Sequence, residues 1–397
     1  MPTLLQINIT VNWGSTGKIA EHIGRCARVH GWESFIAYGR WGNPSKSHLI
    51  KVGNMVDMYL HYGEQRFRDN EGLCSRGATK RLIRQIEEIR PDVVQLHNIH
   101  DHYLNYRLLY EYLSSTNINV VWTFHDCWAF TGHCFHFVTK GCERWKTQCH
   151  DCPLKNEYPK TFLDRSQERF ELKKALFGSC KNLTIVPVSD WMGDFVKESF
   201  LKDKRIEVIK NGVDLKVFRP SSKFQVASSK FRIIAVSSVW NPDKGELDVY
   251  RLRKMLSKEE YEIIMVGLST DQAQNLPAGI RGIQRTQNVQ ELVRLYSESD
   301  VLINPTYADT FPTVNLEALA CGTPVITYRT GGSPEAIDKK TGMVIEQGNV
   351  EALANAIILL KDHPLSSADC RKRAEDLFDK DKCFEKYIEL YDSLIEI

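Results

Sequence analysis

Two acids, Asp309 and Glu317, stand eight positions apart in a stretch suited to holding a ligand, VLINPTYADTFPTVNLEALACGTPV over residues 301–325. Val301, Leu302 and Ile303 form a short apolar run that Asn304-Pro305 stops, so they read as a buried strand opening into a loop at its carboxyl end. Thr313 after Pro312 predicts the N-cap of a helix, with Gly322 as the left-handed residue that ends it. The free amides of Val314 and Asn315 in its first turn suit a diphosphate. Glu317 shares a face with Val314 and Ala318, away from Leu316, Leu319 and Ala320, and a carboxylate there can accept two vicinal ribose hydroxyls. Asp309, in the loop, is placed to hold hydroxyls of a sugar on the same diphosphate. Each acid alone is also explained as a first-turn Glu favoured by the helix dipole and an Asp suited to a turn.

Other strand-end loops carry polar chemistry. Residues 3–10 read as a strand and 19–30 as a helix, joined by Asn12-Trp13-Gly14-Ser15-Thr16-Gly17-Lys18. Gly14 and Gly17 would let backbone approach a phosphate or sugar, with Lys18 beside them, although the spacing fits neither a Walker A loop nor a dinucleotide fingerprint and a tight structural turn explains it equally. The strand 119–124 delivers His125, and the strand 92–96 ends in His97, Asn98, His100, Asp101 and His102. The spacing of those histidines matches no common metal site, so hydrogen bonding at a strand end is the better reading. The strand 231–239 leads to Lys244-Gly245, where an ammonium would lie near a diphosphate unless it is merely a solvated turn residue.

The elements that must position these groups alternate strand and helix along 397 residues that are 42% hydrophobic, enough for two α/β domains. A formal charge of +2 gives no case for a nucleic-acid partner. The opening MPTLLQINITV lacks a signal-peptide pattern, no apolar run is long enough to span a bilayer, and an odd count of 11 Cys argues for reduced thiols in the cytoplasm. The expected division is an N-terminal domain over 1–220, a serine-bearing surface linker at 221–229, a C-terminal domain over 221–380 and a final helix over 381–397 with Phe384, Tyr387, Ile388, Tyr391 and Leu394 on one face. Residues 127–159 break the periodicity as a Cys-rich insertion. Cys134, Cys142, Cys149 and Cys152 fall within nineteen residues and include a C-x2-C knuckle, so they are expected to hold a structural zinc, with His133, His136 and His150 as substitutes; buried or unpaired thiols are the alternative. Arg76, Lys80, Arg81 and Arg84, on or before a helix at 78–89, suggest a membrane-facing surface or an ordinary solvated one.

The acid, seven residues, Glu and then Ala-x-Ala-Cys-Gly-Thr-Pro-Val resemble the signature of the retaining glycosyltransferases of family four. Residues 209–220, I-x-N-G-V-D-x3-F-x-P, resemble that family's interdomain connector, and WTFHDCWAFTGHC over 122–134 looks like its capsule, exopolysaccharide and colanic-acid-type bacterial members. The resemblance implies an α/β GT-B fold, two Rossmann-like doubly wound domains facing across a cleft with the last helix crossing back to the N-terminal domain. It implies a hexosyl group moved from a nucleotide-sugar, UDP- or GDP-linked, to a saccharide or lipid-linked acceptor, with no catalytic metal, in a cytoplasmic enzyme with peripheral contact at the inner membrane. Carried over, Glu317 holds ribose, Asp309 the sugar, Lys244 the diphosphate, and His125 the sugar or developing charge. Gly14, Gly17, Lys18, Ser238, Gly267, Arg285, Thr286, Thr310, Phe311, Thr313, Val314 and Asn315 line the donor. Three positions depart from the pattern: Asp309 replaces Glu, Pro312 replaces Gly, and Val239 stands where the family has an Arg. Those losses leave a rival, a non-catalytic sugar-nucleotide-binding subunit of the same fold.

Overall fold

The computed structural model describes residues 1–221 and 229–395, so the expected linker at 221–229 lies largely outside the described residues. The chain divides into two compact units, Met1–Ile209 with Phe384–Ile397, and Lys210–Cys383.

The first unit holds β1 (Thr3–Asn8), β2 (Glu33–Tyr38), β3 (His48–Lys51), β4 (Val93–Leu96), β5 (Asn119–Phe124), β6 (Leu183–Pro187) and β7 (Arg205–Ile206). Every pairing is parallel, in the order β3-β2-β1-β4-β5-β6-β7. β1, β4 and β6 are buried along their whole length, and of the polar side chains this buries, Gln6, Asn8 and Gln95 hydrogen-bond inside the fold. The last helix, Lys380–Ile395, buries Phe384, Tyr387, Ile388 and Tyr391 in a cluster with Ile23, Trp32 and Val121 of this unit. Polar ties fix it there: Trp32 donates to Asp392 at 3.2 Å and the Asn119 side chain donates to the Leu394 carbonyl at 3.1 Å.

The second unit holds β8 (Phe231–Val236), β9 (Tyr261–Val266), β10 (Ile280–Ile283), β11 (Val301–Asn304), β12 (Val325–Tyr328) and β13 (Gly342–Ile345). Its order, β10-β9-β8-β11-β12-β13, is again all parallel. In each unit the strand order reverses between the first and fourth strands, β1 and β4 or β8 and β11. That switch point opens a crevice outside the carboxyl ends of the strands, where ligands bind in doubly wound sheets.

Several elements differ from the sequence reading. The first helix starts at Gly14, not at residue 19, so Gly17 and Lys18 lie in its first turns rather than in a loop. The strand β3 and the helix Tyr106–Ser114 were not anticipated. Asn105 caps that helix by accepting from the Leu108 amide.

Candidate active site

In the second unit, the loop after β8 and the loop after β11 meet at the switch point. Asn241 caps a short 3-10 turn, Pro242–Lys244, by accepting from the Lys244 amide, and the Asp243 carbonyl accepts from the Tyr307 amide at 2.7 Å. Gly245, at φ 73°, follows; a Cβ there would come within 2.1 Å of the Pro305 carbonyl oxygen, so only glycine permits this approach. The joined loops place Lys244 Nζ 2.7 Å from Asp309 Oδ2 and 3.0 Å from the Ala308 carbonyl, with both side chains partly exposed. Behind them the turn after β12 supports Asp309: Gly331, at φ 54°, would push a Cβ to 1.7 Å from the Asp309 carbonyl, and the Gly332 amide donates to the Thr310 carbonyl at 3.0 Å.

The following helix, Thr313–Ala320, has Pro312 as its N-cap, not Thr313, and no side-chain cap. Thr313 and Val314 therefore hold the first-turn amides without an intrahelical acceptor. The Asn315 amide donates to the Pro312 carbonyl at 3.2 Å, and its fully buried side chain links Asn304 to Ser333. Asn315 thus acts as an internal strut rather than as a phosphate contact. Phe311 is likewise core, packed 6.0 Å from Phe378, so only its backbone is open to a ligand. Ala318 is buried with Leu316 and Leu319 instead of sharing an open face with Glu317. Glu317 is half-buried and accepts from the Tyr296 hydroxyl at 3.0 Å. Tyr296, missed in the sequence because it sits in the apolar stripe of another helix, orients that carboxylate. Ser238 and Arg285 are exposed, Gly267 and Thr286 half-buried, and Thr310 buried.

The first unit sets a second polar group at the ends of β4 and β5. His97 Nδ1 lies 3.0 Å from His125 Nε2, and His97 Nε2 lies 3.1 Å from Gln6 Oε1. Gln6 donates its amide to the Ala20 carbonyl, so its oxygen is the acceptor. His97 therefore donates through Nε2, and His125 donates through Nε2 to His97 Nδ1. Burial holds His97 well below the usual imidazole range and His125 at about 4, so both are neutral near pH 7. His100 sits between Asp126, 3.0 Å from Nε2, and Asp101, 3.6 Å from Nδ1; burial pushes it down, but the two carboxylates outweigh this and carry it to about 10. His102 pairs with Glu71 at 2.8 Å. Asp101 and His102 are consecutive left-handed residues at φ 73° and 70°, strain that this dense ion-pairing holds in place. Gly14 and Lys18 are exposed at the start of the first helix, whereas Gly17 is buried where a Cβ would meet Thr10 Oγ1 at 2.6 Å, so it serves helix-strand packing.

The zinc expectation for Cys134, Cys142, Cys149 and Cys152 is not met: among the described residues no group of three or more His, Cys, Asp or Glu side chains is arranged to hold a metal ion. The four thiols line one hollow, but the segment draws its order from other contacts. Trp145 is buried against Phe130, Phe137 and Phe195, His133 pairs with buried Asp69 at 3.0 Å, and the buried Lys173 ammonium donates to the Trp128 and Thr131 carbonyls.

A family model described as Glycosyltransferase Family 4 matches residues 17–217, just over half of the chain, and one described as Glycosyl transferases group 1 matches residues 230–363. The chain belongs to the family-4 glycosyltransferases. This glycosyltransferase is 24% identical to the colanic acid biosynthesis glycosyl transferase WcaC of Escherichia coli K12, over 98% of its own chain and 100% of the relative. It is 26% identical to the N,N'-diacetylbacillosaminyl-diphospho-undecaprenol alpha-1,3-N-acetylgalactosaminyltransferase of Campylobacter jejuni, over 53% of its chain and 60% of the relative. Among solved structures it matches HepE of Anabaena in complex with UDP-glucose, with a TM-score of 0.66 at 14% identity, covering 98% of this chain and 99% of the other. That likeness shows the GT-B fold: two parallel-sheet, Rossmann-like domains.

Proposed function

We propose that this glycosyltransferase transfers a hexosyl group, with retention, from a nucleotide-sugar to a lipid-linked saccharide during surface polysaccharide synthesis. What supports the reading is that Lys244 pairs with Asp309 in the loop after β11 and that the helix carrying the Thr313 and Val314 amides and Glu317 starts four residues after Asp309. A diphosphate needs cations or amides, a ribose needs a bidentate acceptor, and a hexose needs a carboxylate for its hydroxyls; these groups supply each in sequence.

In the proposed reaction the bond from the sugar's anomeric carbon to the diphosphate breaks, and the acceptor oxygen bonds to the same carbon on the same face. The acceptor's proton passes to the departing phosphate oxygen. Lys244 and the first-turn amides stabilise the charge that grows on the diphosphate, so these steps draw on groups of the chain itself. Donor binding must loosen the Lys244–Asp309 pair, freeing the ammonium for phosphate and the carboxylate for sugar. WcaC and the undecaprenol-linked relative support the polysaccharide and lipid-linked parts of the reading, and a UDP-glucose complex among the fold neighbours together with a GDP-mannose-dependent relative support a UDP- or GDP-linked donor.

The test is a thermal-shift screen of UDP-, GDP- and ADP-sugars, followed by transfer to undecaprenyl-diphosphate saccharides and assignment of the product's anomeric configuration. One donor that raises the melting temperature and gives a product of unchanged configuration supports the proposal; an inverted product refutes the mechanism.

A further inference from the structure

The helix Met55–Arg68 is oriented against its own polarity. Its buried residues are Met58, His61 and Gln65, while Met55, Val56, Tyr59, Leu60 and Phe67 are exposed, Tyr59 at 70% and Leu60 at 67%. The inward polar groups are satisfied: His61 Nδ1 lies 2.9 Å from Ser75 Oγ, and Gln65 donates to the Pro159 carbonyl at 3.1 Å. An amphipathic helix on a soluble domain faces the other way.

The outward apolar face continues onto the neighbouring loop. Phe162 is 57% exposed, its ring lies 5.5 Å from Phe67, and the Arg66 guanidinium stacks on it at 4.0 Å. Scattered apolar side chains on a surface need no explanation, but a contiguous row of this kind marks a surface that is covered in use.

The charges beside the row say what covers it. Next to the helix start, a Cβ on Gly53 would meet Ala78 at 3.4 Å, so the helix Arg76–Ile89 begins there; it exposes Arg76, Lys80, Arg81 and Arg84 over its first nine residues, on the side of that contact, and its exposed acids, Glu87 and Glu88, only near its far end. That helix buries Leu82 and Ile86, so it contributes charge to the surface and little apolar area. The acids within the row are engaged elsewhere: Asp57 accepts from the Asn54 amide, and Glu64 accepts from Arg68 and Asn70. Apolar and aromatic side chains with a cationic flank match the boundary layer of an anionic bilayer, where rings and aliphatic groups enter the acyl region and cations meet the headgroups.

We infer that the outward face of Met55–Arg68, with Phe162 and the basic helix beside it, docks this enzyme on an anionic membrane surface without spanning it. No helix among the described residues is long and apolar enough to cross a bilayer. The docking deepens the lipid-linked acceptor reading and rests on that reading for its purpose.

The test is sedimentation of the full chain with vesicles of phosphatidylcholine alone and of phosphatidylcholine with phosphatidylglycerol. Binding to the anionic vesicles should be at least tenfold tighter and should weaken as salt rises. In the double variant Tyr59→Ser/Leu60→Ser it should fall at least tenfold at every salt concentration, and in Lys80→Glu/Arg81→Glu it should lose its salt dependence. A Tyr59→Trp variant should shift its emission to the blue on anionic vesicles. Circular dichroism and donor-induced thermal shift should be unchanged in all variants, since these side chains are exposed. Equal binding by the parent and the serine variant overturns the proposal. So does a parent dimer that Leu60→Ser dissociates, which would assign the face to a second copy. Transfer to the lipid-linked saccharide in detergent micelles, measured separately, reports on the acceptor reading alone: its absence with vesicle binding intact would overturn the acceptor chemistry and leave the docking standing.

Discussion

Asp309 is one of the three positions at which this chain departs from the family pattern it resembles, and its carboxylate is held by a cation. Its carboxylate reaches Lys244 at 2.7 Å, so one methylene less than Glu still closes the pair. Asp309→Glu should keep transfer activity within about tenfold and change the preference between hexose epimers. Asp309→Ala should lower kcat/KM by about a hundredfold, consistent with about 2.7 kcal/mol for a lost charged hydrogen-bond partner. Steady-state kinetics with paired epimeric donors checks both, and full activity in Asp309→Ala would make the residue a turn acid. Glu317 is singled out in the sequence by its spacing to Asp309, and the helix Thr313–Ala320 does carry it, half-buried. Tyr296, which orients it, is not singled out, because a tyrosine twenty-one positions upstream reads as core. The same holds for His97 and Gln6, ninety-one positions apart: no local pattern announces the contact that fixes the His125 tautomer.

At the scale of elements, strands and their loops were read well because buried parallel strands have an unambiguous apolar signature cut by Gly, Pro and Asn. The misreadings have physical causes. Thr313 looked like a cap because Thr often caps, yet the chain takes Pro312 there, whose fixed φ of −69° suits the entry to a helix while offering no side-chain acceptor. Asn315 and Phe311 lie beside the ligand loop in sequence but turn inward, one to brace β11 against the Ser333 turn and the other to pack on Phe378. The Cys-rich segment suggested metal because it lacked periodicity, whereas its order comes from aromatic packing that has no period to detect. Loop support makes one element-level prediction. Gly331→Ala should destabilise the second unit by about 1–3 kcal/mol, from a left-handed residue with a Cβ pressed on the Asp309 carbonyl, and should lower donor affinity more than Gly63→Ala, where a Cβ meets open space. Denaturant melts and donor titrations on the two variants decide this; equal behaviour would remove the Gly331 turn from the account.

At the scale of the whole molecule, the two sheets share the strand order around the switch point, yet the buried histidines fall in the first unit, where His61, His97, His100, His102 and His133 are all buried. That asymmetry predicts how stability depends on pH. Burial holds His61 and His125 at about 4, against an ordinary value of about 6.5, so between those values the unfolded chain binds more protons than the folded one. Their contribution is present above about pH 6.5 and is lost as pH falls through 4. Burial pushes Glu71 up, but pairing with His102 outweighs it and holds the acid at about 2, adding a loss of the same sign at lower pH. The raised His100 contributes in the opposite sense, only on the alkaline side, as pH climbs toward 10. The melting temperature should therefore fall steadily from pH 7 to pH 4.5, and His61→Asn should flatten that slope while lowering the plateau. A melting temperature constant over that range would contradict the assignment of neutral buried histidines.

If the crevice of the second unit binds the nucleotide portion of a sugar donor through Glu317, calorimetric titration shows it without knowledge of the acceptor. UDP and GDP are titrated into the parent and into Glu317→Ala, with melting temperatures recorded on the same samples. One nucleotide should bind the parent, and Glu317→Ala should weaken it at least about tenfold, about 1.4 kcal/mol, while the free variant still melts in a single transition, lowered by the loss of the acceptor of the buried Tyr296 hydroxyl. Equal affinity in the two proteins would contradict it.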